Sequence, residues 1–161
     1  MRIAVVSDTH GHVRYTSAAV ALIRDENVEA VLHCGDIGSP AIPPLFGEWP
    51  THFVFGNVDH DEEELAQAIT HAGLTCHYRF GAFSLSGVKI ALLHSDDRRA
   101  FEGAIDSGEF DLVCYGHSHI AEQHHVGKTL VLNPGALYRA DPRTFAIVEL
   151  PELAVRHVPV G

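Results

Sequence analysis

Five short apolar runs in this chain break off at a residue able to bind a metal ion, and that recurrence limits the folds open to it. Ala30-Val31-Leu32-His33-Cys34 stops at Gly35 and presents Asp36. Ile3-Ala4-Val5-Val6 leads into Ser7-Asp8-Thr9-His10-Gly11, and Phe53-Val54-Phe55 into Gly56-Asn57-Val58-Asp59. Lys89-Ile90-Ala91-Leu92-Leu93 runs into His94, and Asp111-Leu112-Val113-Cys114-Tyr115 into Gly116-His117-Ser118-His119. An apolar run closed by glycine reads as a buried strand reaching its C-terminal edge. In open α/β sheets that edge is where ligands bind. One such Asp is ordinarily a helix cap or a turn former; five ends that each offer a carboxylate, an amide or an imidazole point to one shared rim.

The segments between these runs fill in the architecture. Arg14 to Asn27 carries Ala18, Ala19, Leu22 and Ile23 at helical spacing, so strand, helix and strand follow one another and the first two strands should be parallel neighbours. Ser39-Pro40 and Pro43-Pro44 forbid a long helix before the third strand. Asp61-Glu62-Glu63-Glu64 opens a helix that stops at Gly73, a charge run that suits the helix dipole rather than a site. Thr75 to Phe83 and Val88 to Leu93 read as strands that begin a second sheet, with Ser86-Gly87 as the turn between them. Ala100, Phe101, Ala104 and Ile105 predict one more helix, ended by Gly108. Strands are then expected over Ala121 to Val126, Thr129 to Leu132, Phe145 to Leu150 and Leu153 to Val158. The expected fold is α/β, with two sheets packed together and helices on the outer faces.

At 161 residues the chain suits one domain, residues 1–161, with a sizeable core. No apolar run approaches the roughly 18 residues that span a bilayer, and no basic-then-apolar leader precedes the first strand, so a cytoplasmic protein without membrane contact is expected. Cys34, Cys76 and Cys114 are odd in number and lack paired spacing, which argues against disulfides and a structural zinc site. A formal charge of −10 argues against a surface that neutralises a nucleic-acid polymer. Bound divalent cations would offset some of that charge where it is densest.

Asp8, His10, Asp36, Asn57, His94, His117 and His119 together supply three oxygen ligands and four imidazoles, a mixed set that suits Mn, Fe, Co, Ni or Zn. Seven ligands exceed the needs of one ion, whereas a pair about 3.5–4 Å apart can share a carboxylate and a water. Asp36 is central enough to be that bridge. The ordered set Asp-x-His, Gly-Asp, Gly-Asn-x-Asp, His and Gly-His-x-His resembles the calcineurin-like metallophosphoesterases, in particular their small bacterial and archaeal phosphodiesterase branch, from residue 3 to about residue 137. The resemblance implies a sandwich of two mixed sheets between helices and hydrolysis of a phosphodiester by a hydroxide shared between two divalent transition-metal ions. It also implies Asp8, His10, Asp36 and His119 around one ion, and Asp36, Asn57, His94 and His117 around the other. Asn133-Pro134-Gly135 resembles a late turn of the family that shapes the backbone near the site.

Two positions depart from the family pattern. Val58 stands where many members carry a histidine that helps protonate the leaving oxygen, and His94-Ser95-Asp96 replaces a frequent His-Gly-His. Loss of a general acid commonly costs about 10²- to 10⁴-fold, so good leaving groups are expected to be preferred. Asp59 is a substitute donor on this reading, and His12, Asp59, His60 and Asp96 are the candidate substrate contacts. His33 is read as a packed core residue, His124 and His125 as facing opposite sides of a strand, and His52, His71, His77 and His157 as surface residues without partners.

Three functions compete. The first is a phosphodiesterase acting on a small phosphoester, with nucleotide derivatives among the candidates. The second is a non-catalytic scaffold like the retromer subunit of this fold, which has Asp where this chain has Asn57. The third is a phosphomonoesterase, against which Val58 counts. Natural substrate, physiological metal and oligomeric state are not legible in the sequence.

Overall fold

The first strand, β1 (Arg2–Val6), alternates its side chains between two apolar layers, and the rest of the chain is built on both of its faces. The computed structural model describes residues 1–161. From β1 the chain passes through helix α1 (Val13–Asp25) into β2 (Ala30–His33), which lies parallel to β1. A short 3-10 turn (Pro43–Phe46) leads to β3 (Thr51–Phe53), and helix α2 (Glu62–His71) to β4 (Thr75–Cys76). The next hairpin pairs β5 (Phe80–Leu85) with β6 (Val88–Leu93), and helix α3 (Arg98–Asp106) joins it to β7 (Leu112–Cys114). Four strands complete the chain: β8 (Glu122–Val126), β9 (Thr129–Asn133), β10 (Arg143–Glu149) and β11 (Ala154–Val160).

These strands form a six-stranded sheet in the order β11-β10-β1-β2-β3-β4 and a five-stranded sheet in the order β5-β6-β7-β9-β8. Both are mixed: β1 to β4 run parallel while β10 is antiparallel to both β1 and β11, and β6, β7 and β9 are parallel between antiparallel edges. Ile3, Val5, Ala30, Leu32 and Cys34 of the first sheet pack on Ile90, Leu92, Leu112, Cys114 and Leu132 of the second. The opposite face of the first sheet, with Ala4, Val6 and Val31, packs under α1 and α2 through Ala19, Ile23, Leu65 and Ile69. Ala91, Leu93 and Val113 face α3 through Ala104. Period-two alternation thus fills two layers from each strand, as expected of a sandwich with helices outside. No helix is long and apolar enough to cross a membrane.

Helix starts follow from local chemistry. Asp61 accepts the Glu64 N–H at 3.0 Å with Glu62, Glu63 and Glu64 in the first turn, and Asp97 accepts the Ala100 N–H at 3.0 Å.

One expected element is divided. Thr75 to Phe83 is not a single strand opening the second sheet, because Tyr78 turns the chain at φ 60° and the backbone bonds His77 N to Phe53 O. Residues 75–76 therefore finish the first sheet, and the crossing to the second comes just before β5.

Candidate metal centre

The loops after β1, β2 and β3 of the first sheet, and after β6 and β7 of the second, open at the same rim. Five of the residues there, Asp8, His10, Asp36, His117 and His119, hold left-handed backbone conformations with φ between 45° and 73°. Each such non-glycine residue is strained by roughly 1–2 kcal/mol relative to an ordinary conformation. The surrounding hydrogen bonds impose that geometry: Asp8 N bonds Gly35 O at 3.0 Å, and His10 N bonds Asp36 O at 2.9 Å. The glycines before two of the candidate ligands are there for space. A Cβ on Gly56 would strike the Asp36 carboxylate, and one on Gly116 would strike the Ser7 hydroxyl and lie 2.8 Å from Asp8 Oδ2.

Each carboxylate has one oxygen held by protein donors and the other turned toward imidazoles. Asp8 Oδ2 accepts from Ser7 Oγ at 2.6 Å and from His117 N at 3.2 Å, while its Oδ1 is buried without a hydrogen bond. His119 Nε2, His10 Nε2 and His94 Nε2 stand 3.2, 3.7 and 3.9 Å from that free oxygen. The His119 contact is short enough for a hydrogen bond but is not aligned as one. Asp36 Oδ1 accepts from Val58 N at 3.1 Å, and its Oδ2 lies 3.2 Å from His94 Nε2 and 3.4 Å from His10 Nε2. Asn57 Oδ1 completes the group, 3.0 Å from both His94 Nε2 and His117 Nδ1.

The structure therefore gathers all seven expected side chains. Asp8, His10 and His119 form one candidate ligand group and Asp8, Asp36 and His94 another, with Asn57 and His117 joined to the second through His94.

Tautomers explain why this arrangement fits a cation. His94 Nδ1 faces the Cys34 carbonyl at 2.8 Å and His119 Nδ1 the Arg139 carbonyl at 3.3 Å, acceptors that can only take a proton from the ring. In the neutral rings Nε2 is then a lone pair aimed at carboxylate lone pairs, a standoff that a proton or a metal ion resolves. His10 Nε2 is likewise buried without a partner. Burial works to raise the Asp8 pKa, yet the His10 and His119 imidazoles and the His94 charge hold it far below the usual carboxylate range. Asp36 is lowered too, burial being outweighed by His94 and the Val58 amide. The Asp8 contact raises His119, and for His94 the pull of Asp36 and Asp8 outweighs burial.

The substrate-contact candidates fare differently. Asp59 is corrected: it is buried behind the rim and accepts the N–H groups of Ile37, Gly38 and Gly56 at 3.1, 2.8 and 2.8 Å, so it braces two loops instead of meeting substrate. Burial raises its pKa despite those three donors, but no oxygen is left free to carry a proton outward. His60 is exposed, its backbone N–H bonded to Val58 O. Asp96 lines a small cavity of about 110 Å³ beside His94, where Arg79 lies 3.6 Å away. His12 stacks on Tyr15 and Tyr138, and Tyr138 packs against His10 with ring centroids 5.6 Å apart.

Among the histidines set aside, His33 is buried, bonded to Thr9 Oγ1 at 3.0 Å and stacked on Phe53. His71, His124 and His125 are exposed, as expected. His52 and His77 are not partnerless, since His52 Nδ1 meets His77 Nε2 at 2.8 Å and both rings stack on Phe83. His157 Nε2 bonds the Asn133 carbonyl at 2.8 Å. Asn133 itself holds the histidine loop, donating to Gly116 O and Ser118 Oγ while accepting from Gly135 N. That is the backbone-shaping role expected of Asn133-Pro134-Gly135.

A family model described as the calcineurin-like phosphoesterase superfamily domain matches residues 1–152. The chain belongs to the calcineurin-like phosphoesterase superfamily. Among relatives in this superfamily, Phosphodiesterase MJ0936 of Methanocaldococcus jannaschii is 32% identical over 140 residues, covering 84% of this chain and 83% of that protein. The probable metallophosphoesterase YsnB of Bacillus subtilis is 29% identical over 141 residues, covering 85% and 75%. A solved archaeal phosphodiesterase superposes with a TM-score of 0.91 at 29% identity over 99% of both chains. Vps29 of Entamoeba histolytica shares the fold, with a TM-score of 0.70 at 19% identity over all of both chains. The calcineurin-like fold and the phosphoesterase family thus agree with the Asp and His cluster at the rim.

Proposed function

We propose that this chain is a dinuclear-metal-dependent phosphodiesterase. The observation that carries the reading is the pairing of two carboxylates whose free oxygens face the Nε2 atoms of His10, His94 and His119 across 3.2–3.9 Å, with Asp8 Oδ1 and His10 Nε2 buried without a hydrogen bond. Asp8, His10 and His119 hold one divalent ion in this proposal, and Asn57, His94 and His117 the other. Asp36, whose Oδ2 is flanked by His10 and His94, would be shared between the two. Mn, Fe, Co, Ni or Zn would suit these oxygen and nitrogen donors. Bound there, such a pair would supply Lewis acidity toward a water nucleophile and positive charge against the phosphoryl oxygens.

The protein's own contribution is to fix the donors. Ser7, Cys34 O, Arg139 O and the amides of Val58 and His117 orient the ligands before any ion arrives, as the outer partners of metal sites do. Val58 carries no proton for a departing alkoxide, and Asp59 is spent on backbone amides, so esters with good leaving groups are favoured; the diester preference rests on the family branch that the sequence resembles. The named phosphodiesterase relative points the same way. The substrate is a small phosphoester in the cytoplasm, nucleotide derivatives included, and not a nucleic-acid polymer, given the charge of −10.

The test strips the protein of metal, restores Mn²⁺, Ni²⁺ or Zn²⁺ in turn, and compares aryl diesters, cyclic nucleotides and monoesters. Turnover of diesters with at least one ion is expected. Binding of ions without turnover of any substrate would replace this reading with a scaffold role.

A further inference from the structure

A continuous aromatic patch adjoins the candidate centre on its His10 and His119 side. The His12 ring lies 4.0 Å from Tyr15 at an interplanar angle of 10°, and 5.3 Å from Tyr138 at 24°. Tyr138 in turn meets His10, whose ring is 5.3 Å from His119. A guanidinium closes each end: Arg143 sits 4.0 Å over Tyr15, and Arg139 sits 5.4 Å from the Tyr138 centroid.

Arg2, Arg24, Arg79, Arg98, Lys128 and Arg156 each have a carboxylate partner; Arg14, Lys89, Arg99, Arg139 and Arg143 have none, and of these five Arg139 and Arg143 lie against the aromatic patch, in a protein that carries ten more acidic than basic residues. Arg139 is exposed, and its backbone is held at φ 51° while its carbonyl accepts from His119 Nδ1. A strained residue tied to a candidate ligand thus presents an uncompensated cation next to a half-buried phenol.

We infer that Tyr138 and Arg139 form a subsite for one arm of the diester, and that the arm it takes carries a flat aromatic ring, as a nucleoside does. The inference rests on the phosphodiesterase reading above. Tyr138 is a half-buried ring packed against His10, one side chain from the candidate centre, and bases and aryl groups stack on aromatic side chains regardless of sequence. Arg139 extends that surface as a planar cation and draws an anionic diester toward a protein of net negative charge.

The test uses two diesters with the same p-nitrophenyl leaving group, one with thymidine as the other arm and one with methyl. The metal-loaded protein should favour the thymidine ester in kcat/KM. Tyr138→Leu should reduce that preference by about ten-fold, whereas Tyr138→Phe should keep it within about two-fold. Arg139→Gln should raise KM for both esters and flatten its dependence on salt, and Arg139→Lys should restore part of both. Equilibrium dialysis of thymidine 5′-monophosphate against methyl phosphate supplies a readout free of turnover. A preference unchanged by Tyr138→Leu, or a protein that does not distinguish the two arms, overturns the subsite while leaving the phosphodiesterase intact. If neither ester is hydrolysed, the phosphodiesterase reading fails, and the subsite then stands or falls on whether thymidine 5′-monophosphate binds more tightly than methyl phosphate in a Tyr138-dependent way.

Discussion

The carboxylate of Asp59 accepts the backbone N–H of Gly38 at 2.8 Å, tying the loop after β3 to the loop after β2. The same side chain takes the amides of Ile37 and Gly56, so it replaces three backbone partners at once. A buried donor left unpaired costs about 1–3 kcal/mol. Asp59→Ala should therefore destabilise the fold by about 3 kcal/mol or more in urea unfolding, and Asp59→Asn by about half as much. A loss under about 0.5 kcal/mol, the range of an ordinary surface change, would mean that other contacts hold the two loops.

Asp36→Asn should lower metal occupancy in both halves of the centre, because Oδ2 lies between His10 and His94. Metal analysis after reconstitution would detect about two ions per chain in the unaltered protein. Retention of both ions in the variant would remove Asp36 from the shared position. Chelation should lower Tm, since ligands from five loops are clamped together only in the folded chain. Unchanged melting in protein shown to be metal-free would contradict this.

In the metal-free protein the pKa values of His94 and His119 are raised. Their stabilisation is fully present below the unfolded value of about 6.5 and is lost as pH rises through the folded values. Metal ions compete with those protons, so apparent affinity should climb as pH rises above about 6.5, with proton release on binding. Titration in weak buffer measures the release; its absence would indicate that both rings are already neutral.

The opposite sign holds for His52, pushed down to about 4 by burial and then by His77, which is itself lowered by burial. Both stay neutral in the fold at a pH where the unfolded chain takes up protons. Their contribution is full above about pH 6.5 and falls as acid approaches the folded values. Replacing the pair by phenylalanine should flatten the decline of stability between about pH 6.5 and 4. His33, lowered to about 3 by burial, keeps some decline in place. An unaltered slope would place the acid sensitivity elsewhere.

Leaving groups should matter steeply. Val58 uses its amide on Asp36 and offers no proton from its side chain, so aryl diesters should be cleaved far faster than alkyl ones. Val58→His should help the poor leaving groups most. A rate independent of leaving-group pKa would reveal another donor, with His12 and His60 the first to mutate.

The seven converging side chains were legible because each comes a fixed short distance after an apolar run, and a strand edge delivers the next few residues to the rim. The sandwich was legible for the same reason, through alternation and segment lengths. The features that stayed hidden depend on partners remote in sequence. Asp59 looked exposed beside Asn57, but its acceptors are filled by amides 22 and 21 residues upstream. His52 and His77 looked solitary because the bond between them spans 25 residues. Tyr138 comes after an ordinary Ala136-Leu137 pair, and only the fold lays its ring against His10. The split between β4 and β5 came from a turn at Tyr78 inside a stretch where apolar Cys76, Tyr78, Phe80 and Ala82 keep strand-like alternation without a break.

Asp8, His10, Asp36 and Asn57 hang from one sheet, whereas His94, His117 and His119 hang from the other. The dry layer of Ile, Val, Leu, Ala and Cys side chains between the sheets is consequently the ruler that sets how far apart the two halves stand. Interiors this dense transmit displacement instead of absorbing it. A methylene gained or lost at Cys34 or Ala146, both far from solvent, would register at the rim as a changed span between imidazoles and carboxylates. Drift in the interior would thereby retune the metal preference of the proposed centre without altering a single ligand.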